Sequence, residues 1–273
     1  MTSKSNPGKQ TVTKTKPTAT KIILTCGGKG GVGKTTILVA ITDYLRSTGA
    51  DLTTMDCDTE NAQQVSCFSH WLSGKGNVLN LRDATDRDRL LTDSAAAGVP
   101  YVLVDLPANA TGDIATWLQD VATAELIAEM GLEILAVGVV TPHAGSARSV
   151  VQWISTLGDR ASYLVALNRI EYEPVPRPAR QAFAEWFDAA LPLLEGKVSP
   201  DRIRTIEIPN MEAHGMLAMV TLGKLPSKAM EDPALQILHK SRVRTWRNQI
   251  YAELDRSGVF GAPAAKEPAP AAH

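Results

Sequence analysis

The chain has 273 residues and a formal net charge of −1, and 44% of its residues are apolar while 21% are charged. These proportions are typical of a folded globular protein, and without a run of about 18 apolar residues an integral membrane protein is excluded. The three cysteines (Cys26, Cys57 and Cys67) form no C-x-x-C pair, which argues against a zinc ribbon, a disulfide framework or a redox pair. We expect free thiols and, because the N-terminus lacks the apolar segment of a secretory signal, a cytoplasmic protein.

Charge is distributed unevenly along the chain. Residues 1–20 are predicted to be a disordered basic tail, residues 21–258 a single folded domain, and residues 259–273 a disordered tail rich in Ala and Pro. Without the five lysines of residues 1–21, 23 basic and 29 acidic residues remain, a net charge of −6. The basic tail could bind DNA or another polyanion, or it could serve as a solubilising leader, and both interpretations stay open.

Short apolar runs alternate with longer amphipathic runs between the tails. This pattern predicts an α/β fold with a mostly parallel, doubly wound sheet and helices on both faces. Strands are predicted at 21–26, 51–56, 100–105, 132–140, 162–168 and 202–209. Helices are predicted at 34–48, 86–97, 111–130, 144–158, 177–191 and 231–256, the last ended by Gly258. Ligands of such sheets bind at the carboxyl ends of the strands, which is where the motifs fall.

The stretch GKGGVGKT, from Gly28 to Thr35, satisfies the phosphate-loop pattern G-x-x-x-x-G-K-[ST] between an apolar strand and an apolar-periodic helix. Its glycines let the backbone fold tightly, so that N–H groups point at phosphate oxygens and the helix N-terminus adds its positive end. Lys34 neutralises the β- and γ-phosphates, and the Thr35 hydroxyl can bind Mg²⁺. The motif therefore predicts a P-loop nucleoside triphosphatase, with nucleotide-binding positions at Gly28, Lys29, Gly30, Gly31, Val32, Gly33, Lys34, Thr35 and Thr36.

Carboxylates follow two of the predicted strands. Asp105 ends the buried run YVLVD, where it can hold Mg²⁺ through water. Asp56 and Asp58 follow the second strand, where two carboxylates can order the metal shell and an attacking water. Each cluster alone is a weak signal, but together with the loop they predict Thr35, Asp56 and Asp105 as the metal site.

Lys29 is an additional lysine that an ordinary phosphate loop does not need. With it, KGGVGKTT resembles the deviant phosphate-loop signature of the ParA/MinD family, the ATPases that partition plasmids and position division or other cargo machinery. The resemblance covers roughly residues 21–225 and includes Asp56-x-Asp58, Asp105-x-Pro107 and the pair Asn168-Arg169.

The resemblance implies a role for each matching residue. Lys29 would reach across a nucleotide-sandwich homodimer to the partner's phosphates, as an arginine finger supplied in trans does. Asp58 would position the hydrolytic water, Thr36 would contact the α-phosphate, Asn168 would recognise the adenine edge, and the Pro209 turn would wall the base. An Asn after a strand is also an ordinary turn residue. The lack of an Asn/Thr-Lys-x-Asp motif favours ATP over GTP.

The sequence thus predicts an ATPase that is slow until an unidentified partner protein stimulates it, forms a homodimer when ATP-bound, and positions or partitions plasmid DNA or a cargo complex. The segment after Asp58 lacks the Pro-Gln of chromosomal partition members, and the body is acidic. Both departures favour a plasmid-encoded or conjugation-associated member similar to the TraL and StbB stability proteins. Alternatives are a nucleotide-dependent adaptor without direct DNA binding and an ATP-dependent metabolic synthetase of the same superfamily.

Basic residues of the last predicted helix are the candidate surface for non-specific DNA. Lys240, Arg244 and Arg247 fall on one helical stripe with Arg242 nearby. A solvated helical face is the alternative, because four basic residues are few for tracking phosphates. No amphipathic membrane helix is recognised in the C-terminal tail, so a membrane partner is not expected.

Overall fold

The computed structural model describes residues 19–58, 67–72, 77–108, 111–121, 124–171 and 173–261. Residues 1–18 and 262–273 lie outside these ranges, and with them most of the two tails that the sequence predicts.

The described strands form one seven-stranded sheet in which every neighbouring pair is parallel. They are β1 (Thr20–Cys26), β2 (Leu52–Asp56), β3 (Asn77–Val78), β4 (Tyr101–Asp105), β5 (Leu132–Val140), β6 (Ser162–Asn168) and β7 (Ile203–Ile208), in the spatial order β3-β2-β4-β1-β5-β6-β7. The six predicted strands and the parallel α/β fold are confirmed. Sequence reasoning missed β3, because a two-residue strand has too few positions to show a pattern.

The helices of the described chain are α1 (Lys34–Ser47), α2 (Phe68–Trp71), α3 (Ala84–Ala96), α4 (Thr111–Val121), α5 (Ala124–Glu129), α6 (Ser146–Leu157), α7 (Ala179–Ala182), α8 (Ala213–Leu222), α9 (Pro226–Glu231) and α10 (Ile237–Ser257). A π-helical segment covers Glu185–Ala190 and a 3₁₀ turn covers Leu191–Leu194. None of the helices within the described ranges is long and apolar enough to cross a membrane.

The sheet is buried on both faces, which explains its nearly continuous apolar runs. Successive residues of β1 point to opposite faces, so that Ile22 packs with α3–α6 and Ile23 packs with α1 and α8–α10. Strand β1 lies between β4 and β5, with Ile23 opposite both Leu103 and Leu135. The chain leaves β1 toward β2 on one side and later returns to β5 on the other, so the loop after β1 lies at the switch point where such sheets bind ligands.

Two predicted helices differ from the structure. The helix predicted over 231–256 is wrong at its start, because α9 ends at Glu231 and Pro233, which has no N–H to donate, separates it from α10. The helix predicted over 177–191 is replaced by α7, the π-helical segment and a 3₁₀ turn that contains Pro192. The helix predicted over 111–130 corresponds to α4 and α5, and residues 122–123 between them are outside the described part.

Helix α8 was not predicted, although its sequence carries the glycine that commonly ends a helix. The Glu212 carboxylate accepts a hydrogen bond from Gly215 N at the start, and Gly223 ends the helix with a φ of +57°. The last helix ends at Gly258 as predicted, yet the packed body continues past it. Lys21 Nζ donates to the Val259 carbonyl at 2.8 Å, and the Phe260 ring lies 5.8 Å from that of Tyr44.

Candidate functional site

The phosphate-binding loop connects β1 to α1 as the motif predicts. Gly33 stands at the N-cap of α1 with a φ of +99°, a conformation that side chains with a Cβ strongly disfavour. A Cβ at this position would lie 2.6 Å from Asn168 Nδ2, so the space as well as the backbone requires glycine. Gly28, Gly30 and Gly31 form the exposed outer side of the loop. A phosphate can therefore approach the loop backbone without meeting a side chain.

Lys34 is the first residue of α1 and its side chain is largely buried, with 8% of the residue exposed. Its Nζ donates to the Lys29 carbonyl at 3.1 Å, so the loop backbone holds it in place. Burial lowers the pKa of Lys34, and the nearby charge of Asp105 opposes that shift, as do Cys26 and Asp58 to a smaller extent. A buried ammonium group has lost the water that would stabilise its charge, and its partly anionic neighbours make up for only some of this loss. The negative charge of a bound polyphosphate can supply the rest.

Thr35 and Asp105 come together as the predicted metal site requires. The Thr35 hydroxyl donates to Asp105 Oδ2 at 2.6 Å, and the Thr25 hydroxyl donates to Oδ1 at 3.0 Å. Burial raises the pKa of Asp105 to about 7, against the two hydroxyl hydrogen bonds, and the charge of Asp56 adds to the rise. A cation beside this carboxylate would reverse the effect and favour its charged form.

These oxygen ligands fit Mg²⁺ in chemistry and number. Mg²⁺ at nucleotide sites takes one or two protein oxygens and completes its shell with water and phosphate oxygens. Within the described ranges, no group of three or more His, Cys, Asp or Glu residues could hold a metal ion by itself. A hydroxyl and a carboxylate beside a phosphate loop therefore suit an ion that arrives with a nucleotide rather than a resident metal.

Asp56 is the last residue of β2, and its carboxylate accepts hydrogen bonds from other residues of the chain. Its Oδ2 accepts from Ser69 N at 2.8 Å and from Ser69 Oγ at 2.5 Å, and its Oδ1 accepts from Asp58 N at 3.2 Å. The carboxylate thus joins the carboxyl end of β2 to the first turn of α2, a role that sequence reasoning did not assign. Asp58 lies close enough to Lys34 for its charge to raise the pKa of that lysine, so these two predicted site residues are near each other.

Asn168 and Pro209 lie together at a cavity of about 640 Å³ next to the loop. The cavity is lined by Gly33 and Thr36 on the loop side and by Pro209, Met211, Met216 and Trp246 on the other. Asn168 Nδ2 donates to the Val32 carbonyl at 2.9 Å. The apolar walls suit a purine base, and the amides of Asn168 and Asn210, with the polar side chains of Arg169, Glu212 and His214, line the same cavity.

Sequence reasoning missed two residues that shape this cavity, Met211 and Trp246. Trp246 belongs to the middle of α10, and its indole Nε1 donates to the Pro209 carbonyl at 3.0 Å. The wall that Pro209 provides is therefore fixed by a side chain 37 residues further along the chain. No local sequence signal announces such a contact, although a buried Trp generally needs a partner for its N–H.

Lys29 extends from the loop in a different direction from Lys34. Its Nζ donates to the Ala144 carbonyl at 2.6 Å, in the segment that follows β5. The two lysines of the motif are thus separated, with Lys34 buried at the start of α1 and Lys29 half-exposed on the surface of the same chain.

The four basic residues proposed as a DNA surface do not share one environment. Arg247 donates to Ser227 Oγ at 3.1 Å and lies over the Tyr251 ring at 5.3 Å. Arg242 forms an ion pair with Glu212 at 3.2 Å. Lys240 is half-exposed and Arg244 is exposed, one helical turn apart. The contacts of Arg247 give it a packing role that the helical-stripe pattern could not reveal.

The cysteines are free and buried. Burial raises the pKa of the Cys26 thiol to about 12 and also raises the pKa of Cys57 and Cys67. Protonated, buried thiols are poor nucleophiles and poor metal ligands. The prediction of free thiols is confirmed.

The chain is similar to known nucleotide-binding proteins. Residues 23–208, more than half of the chain, match the family described as the CobQ/CobB/MinD/ParA nucleotide binding domain. Protein TraL of Escherichia coli is 26% identical over 259 residues, which cover 88% of this chain and 99% of TraL. Two solved structures from Aquifex aeolicus also match, the MinD cell division protein (16% identity, 85% of this chain and 97% of that chain, TM-score 0.49) and the MinC:MinD cell division protein complex (17%, 93% and 98%, TM-score 0.49).

The matched range contains the phosphate loop, Asp105 and Asn168, so the family assignment and the geometry of the site agree. The chain therefore belongs to the CobQ/CobB/MinD/ParA family of nucleotide-binding domains.

Proposed function

We propose that this protein is an ATP-dependent dimerisation switch that positions or partitions plasmid DNA or a cargo complex. ATP binds with Mg²⁺ along the loop and the Asn168–Pro209 cavity, the ATP-bound chains pair, and hydrolysis resets the switch. Turnover is slow until a partner protein stimulates it. The family assignment, the similarity to TraL and the pocket that surrounds the loop support this proposal.

The observation that carries the proposal is the separation of Lys29 from Lys34. Lys34 is buried where a lysine can neutralise the phosphates of its own subunit, whereas Lys29 is half-exposed at the rim of the same loop. A second copy facing the exposed loop glycines would receive Lys29 at its own phosphates. Such a lysine adds positive charge where the transferred phosphoryl group becomes more negative.

The chain's own residues supply the remaining parts of hydrolysis. Lys34 and the loop N–H groups hold the phosphates, Thr35 and Asp105 provide oxygen ligands for Mg²⁺, and Asp58 orients the attacking water. When bound, Mg²⁺ would neutralise the negative charge that develops on the transferred phosphoryl group. Asp56 keeps Asp58 in place by accepting its backbone N–H.

Retention of DNA by the purified protein tests the function. We expect non-specific DNA to be retained with ATP, but not with ADP or without nucleotide, and Lys29→Ala to lose this retention. A Lys240→Glu, Arg244→Glu double variant should also lose retention while its ATPase rate is unchanged. Arg247 is left intact because it packs on Ser227 and Tyr251.

A second candidate function is a nucleotide-dependent adaptor of a conjugation or other protein machinery that does not touch DNA. The observation that supports it is that Arg242 and Arg247, two of the four candidate DNA-binding residues, form contacts within the chain. ATP-driven dimerisation without any DNA retention would select this candidate.

A further inference from the structure

The segment between β5 and α6, residues 141–145, contains the carbonyl that accepts a hydrogen bond from Lys29 Nζ. Several hydrogen bonds hold this exposed segment in place. Inside, the buried Ser146 Oγ accepts from Thr141 N at 3.0 Å, and its hydroxyl can donate to the carbonyl of Thr141 or of His143, each 3.2 Å away. Outside, His143 Nε2 lies 3.2 Å from Glu171 Oε1. The carbonyl that Lys29 contacts therefore has a defined position.

A third anchor comes from a distant part of the chain. Gly145 has a φ of +89°, and its N–H donates to both carboxylate oxygens of Glu185 at 3.1 and 3.0 Å. Glu185 begins the π-helical segment, 40 residues further along the chain. Its carboxylate thus holds the peptide group directly after Ala144, whose carbonyl accepts from Lys29.

We propose that Glu185 is a positioning residue that keeps Lys29 bound within its own subunit until a partner binds. It fixes the Ala144 carbonyl as an acceptor within the same subunit, so Lys29 must leave this carbonyl before it can reach a partner's phosphates. A neutral carbonyl is a weaker acceptor for an ammonium group than a polyphosphate. Dimerisation therefore requires the hydrogen bond between Lys29 and the Ala144 carbonyl to break. The phosphates of a nucleotide-bound partner compensate for this loss, whereas a partner without nucleotide does not. The effect on dimerisation rests on the proposed function. The contact between Lys29 and the Ala144 carbonyl lies within one chain and does not depend on it.

Acetylation of lysines in the nucleotide-free protein tests the hold without requiring ATP or a dimer. The rate at Lys29, measured by mass spectrometry against the exposed Lys197, should rise several-fold in Glu185→Ala. Glu185→Gln keeps an oxygen that accepts the Gly145 N–H and should react like the wild type. Asp188→Ala is the matched control, because Asp188 lies on the same segment but pairs with Arg180 on the surface. An equal Lys29 rate in wild type and Glu185→Ala would overturn the proposal.

Dimerisation measured by analytical ultracentrifugation with ATP tests the consequence. An exposed charge-assisted hydrogen bond changes an equilibrium by about threefold or more, and each dimer must release two lysines. Glu185→Ala should therefore dimerise with a dissociation constant about tenfold lower than that of the wild type, Glu185→Gln or Asp188→Ala. Unchanged or weaker pairing of Glu185→Ala would contradict the proposed role of Glu185. If the wild type does not dimerise with ATP, the proposed function fails, and the acetylation rates still decide whether Glu185 holds Lys29.

Discussion

The glycines of the phosphate loop allow a graded test of the site geometry. Gly33 combines a φ of +99° with a Cβ position 2.6 Å from Asn168 Nδ2. Gly31 has a φ of +71° but open space around its Cβ position, and Gly30 has neither constraint. Replacing each by Ala in turn therefore separates backbone strain from side-chain contact within a single loop.

The expected changes in unfolding free energy follow from the backbone strain and the side-chain contact at each position. A non-glycine residue at positive φ costs about 1–2 kcal/mol, partly offset by about 0.4–1 kcal/mol from the less flexible unfolded chain. Gly31→Ala should therefore lower the free energy of unfolding by about 1 kcal/mol, whereas Gly30→Ala, which meets neither constraint, should raise it by about 0.4–1 kcal/mol. Gly33→Ala also displaces Asn168 from the Val32 carbonyl, a hydrogen bond worth about 1 kcal/mol, for a total of about 2 kcal/mol.

Urea unfolding of the nucleotide-free protein in EDTA, followed by tryptophan fluorescence, measures these differences. A double-mutant cycle supplies the control, since Asn168→Ala removes the group that the new methyl would strike. The Gly33→Ala, Asn168→Ala double variant should be less destabilised than the sum of the two single variants by about 1 kcal/mol. Equal losses for Gly31→Ala and Gly33→Ala, with no coupling to Asn168, would refute the close approach of the loop and the Asn168 side chain.

Three further predictions concern the metal site, the base cavity and the packing of α1. Asp105→Asn should abolish the difference between ATP affinities measured by calorimetry with Mg²⁺ and with EDTA, and a persistent Mg²⁺ effect would remove Asp105 from the metal site. Trp246→Phe should weaken nucleotide binding about fivefold through loss of its bond to Pro209, with unchanged affinity as the contrary result. Burial raises the pKa of Asp43 in the folded protein above its unfolded value of about 3.9, so the free energy of unfolding falls as pH rises from the unfolded pKa through the folded pKa. Asp43→Asn should flatten this dependence on pH in urea titrations. The same slope in wild type and variant would contradict a raised pKa of Asp43.

Local patterns were sufficient to predict the strands and the phosphate loop. Apolar runs bounded by turn residues define the parallel strands, and the glycine spacing before Lys34 specifies how the backbone folds there. Topology then brings Thr35 and Asp105 together without further information, because β1 and β4 are neighbours and their carboxyl ends share one edge of the sheet. The agreement at these positions reflects chemistry that is encoded within a few consecutive residues.

Contacts between distant residues could not be predicted in the same way. Trp246 shapes the base cavity and Glu185 anchors the segment that contacts Lys29, and both act across intervals that no periodic pattern spans. Helical spacing places Arg247 on the candidate DNA surface, because spacing shows which face a residue occupies but not what packs against that face. Helix α8 is a different case, because the sequence carries the end signal at Gly223 but no ordinary start signal, since Glu212 is not one of the preferred N-cap residue types.

The central claim is that Lys29 acts on the nucleotide of the partner subunit, and mixing two inactive variants tests it most directly. Lys29→Ala lacks the lysine but keeps Asp58, whereas Asp58→Ala keeps Lys29 but cannot orient the water, so each variant alone should hydrolyse ATP at a negligible rate. In an equal mixture half of the dimers are mixed and each has one complete site of two, so the account predicts a recovery of about a quarter of the wild-type rate. No recovery in a mixture in which ultracentrifugation of differently labelled variants shows mixed ATP-bound dimers would mean that Lys29 serves its own subunit, and the proposed switch would be contradicted.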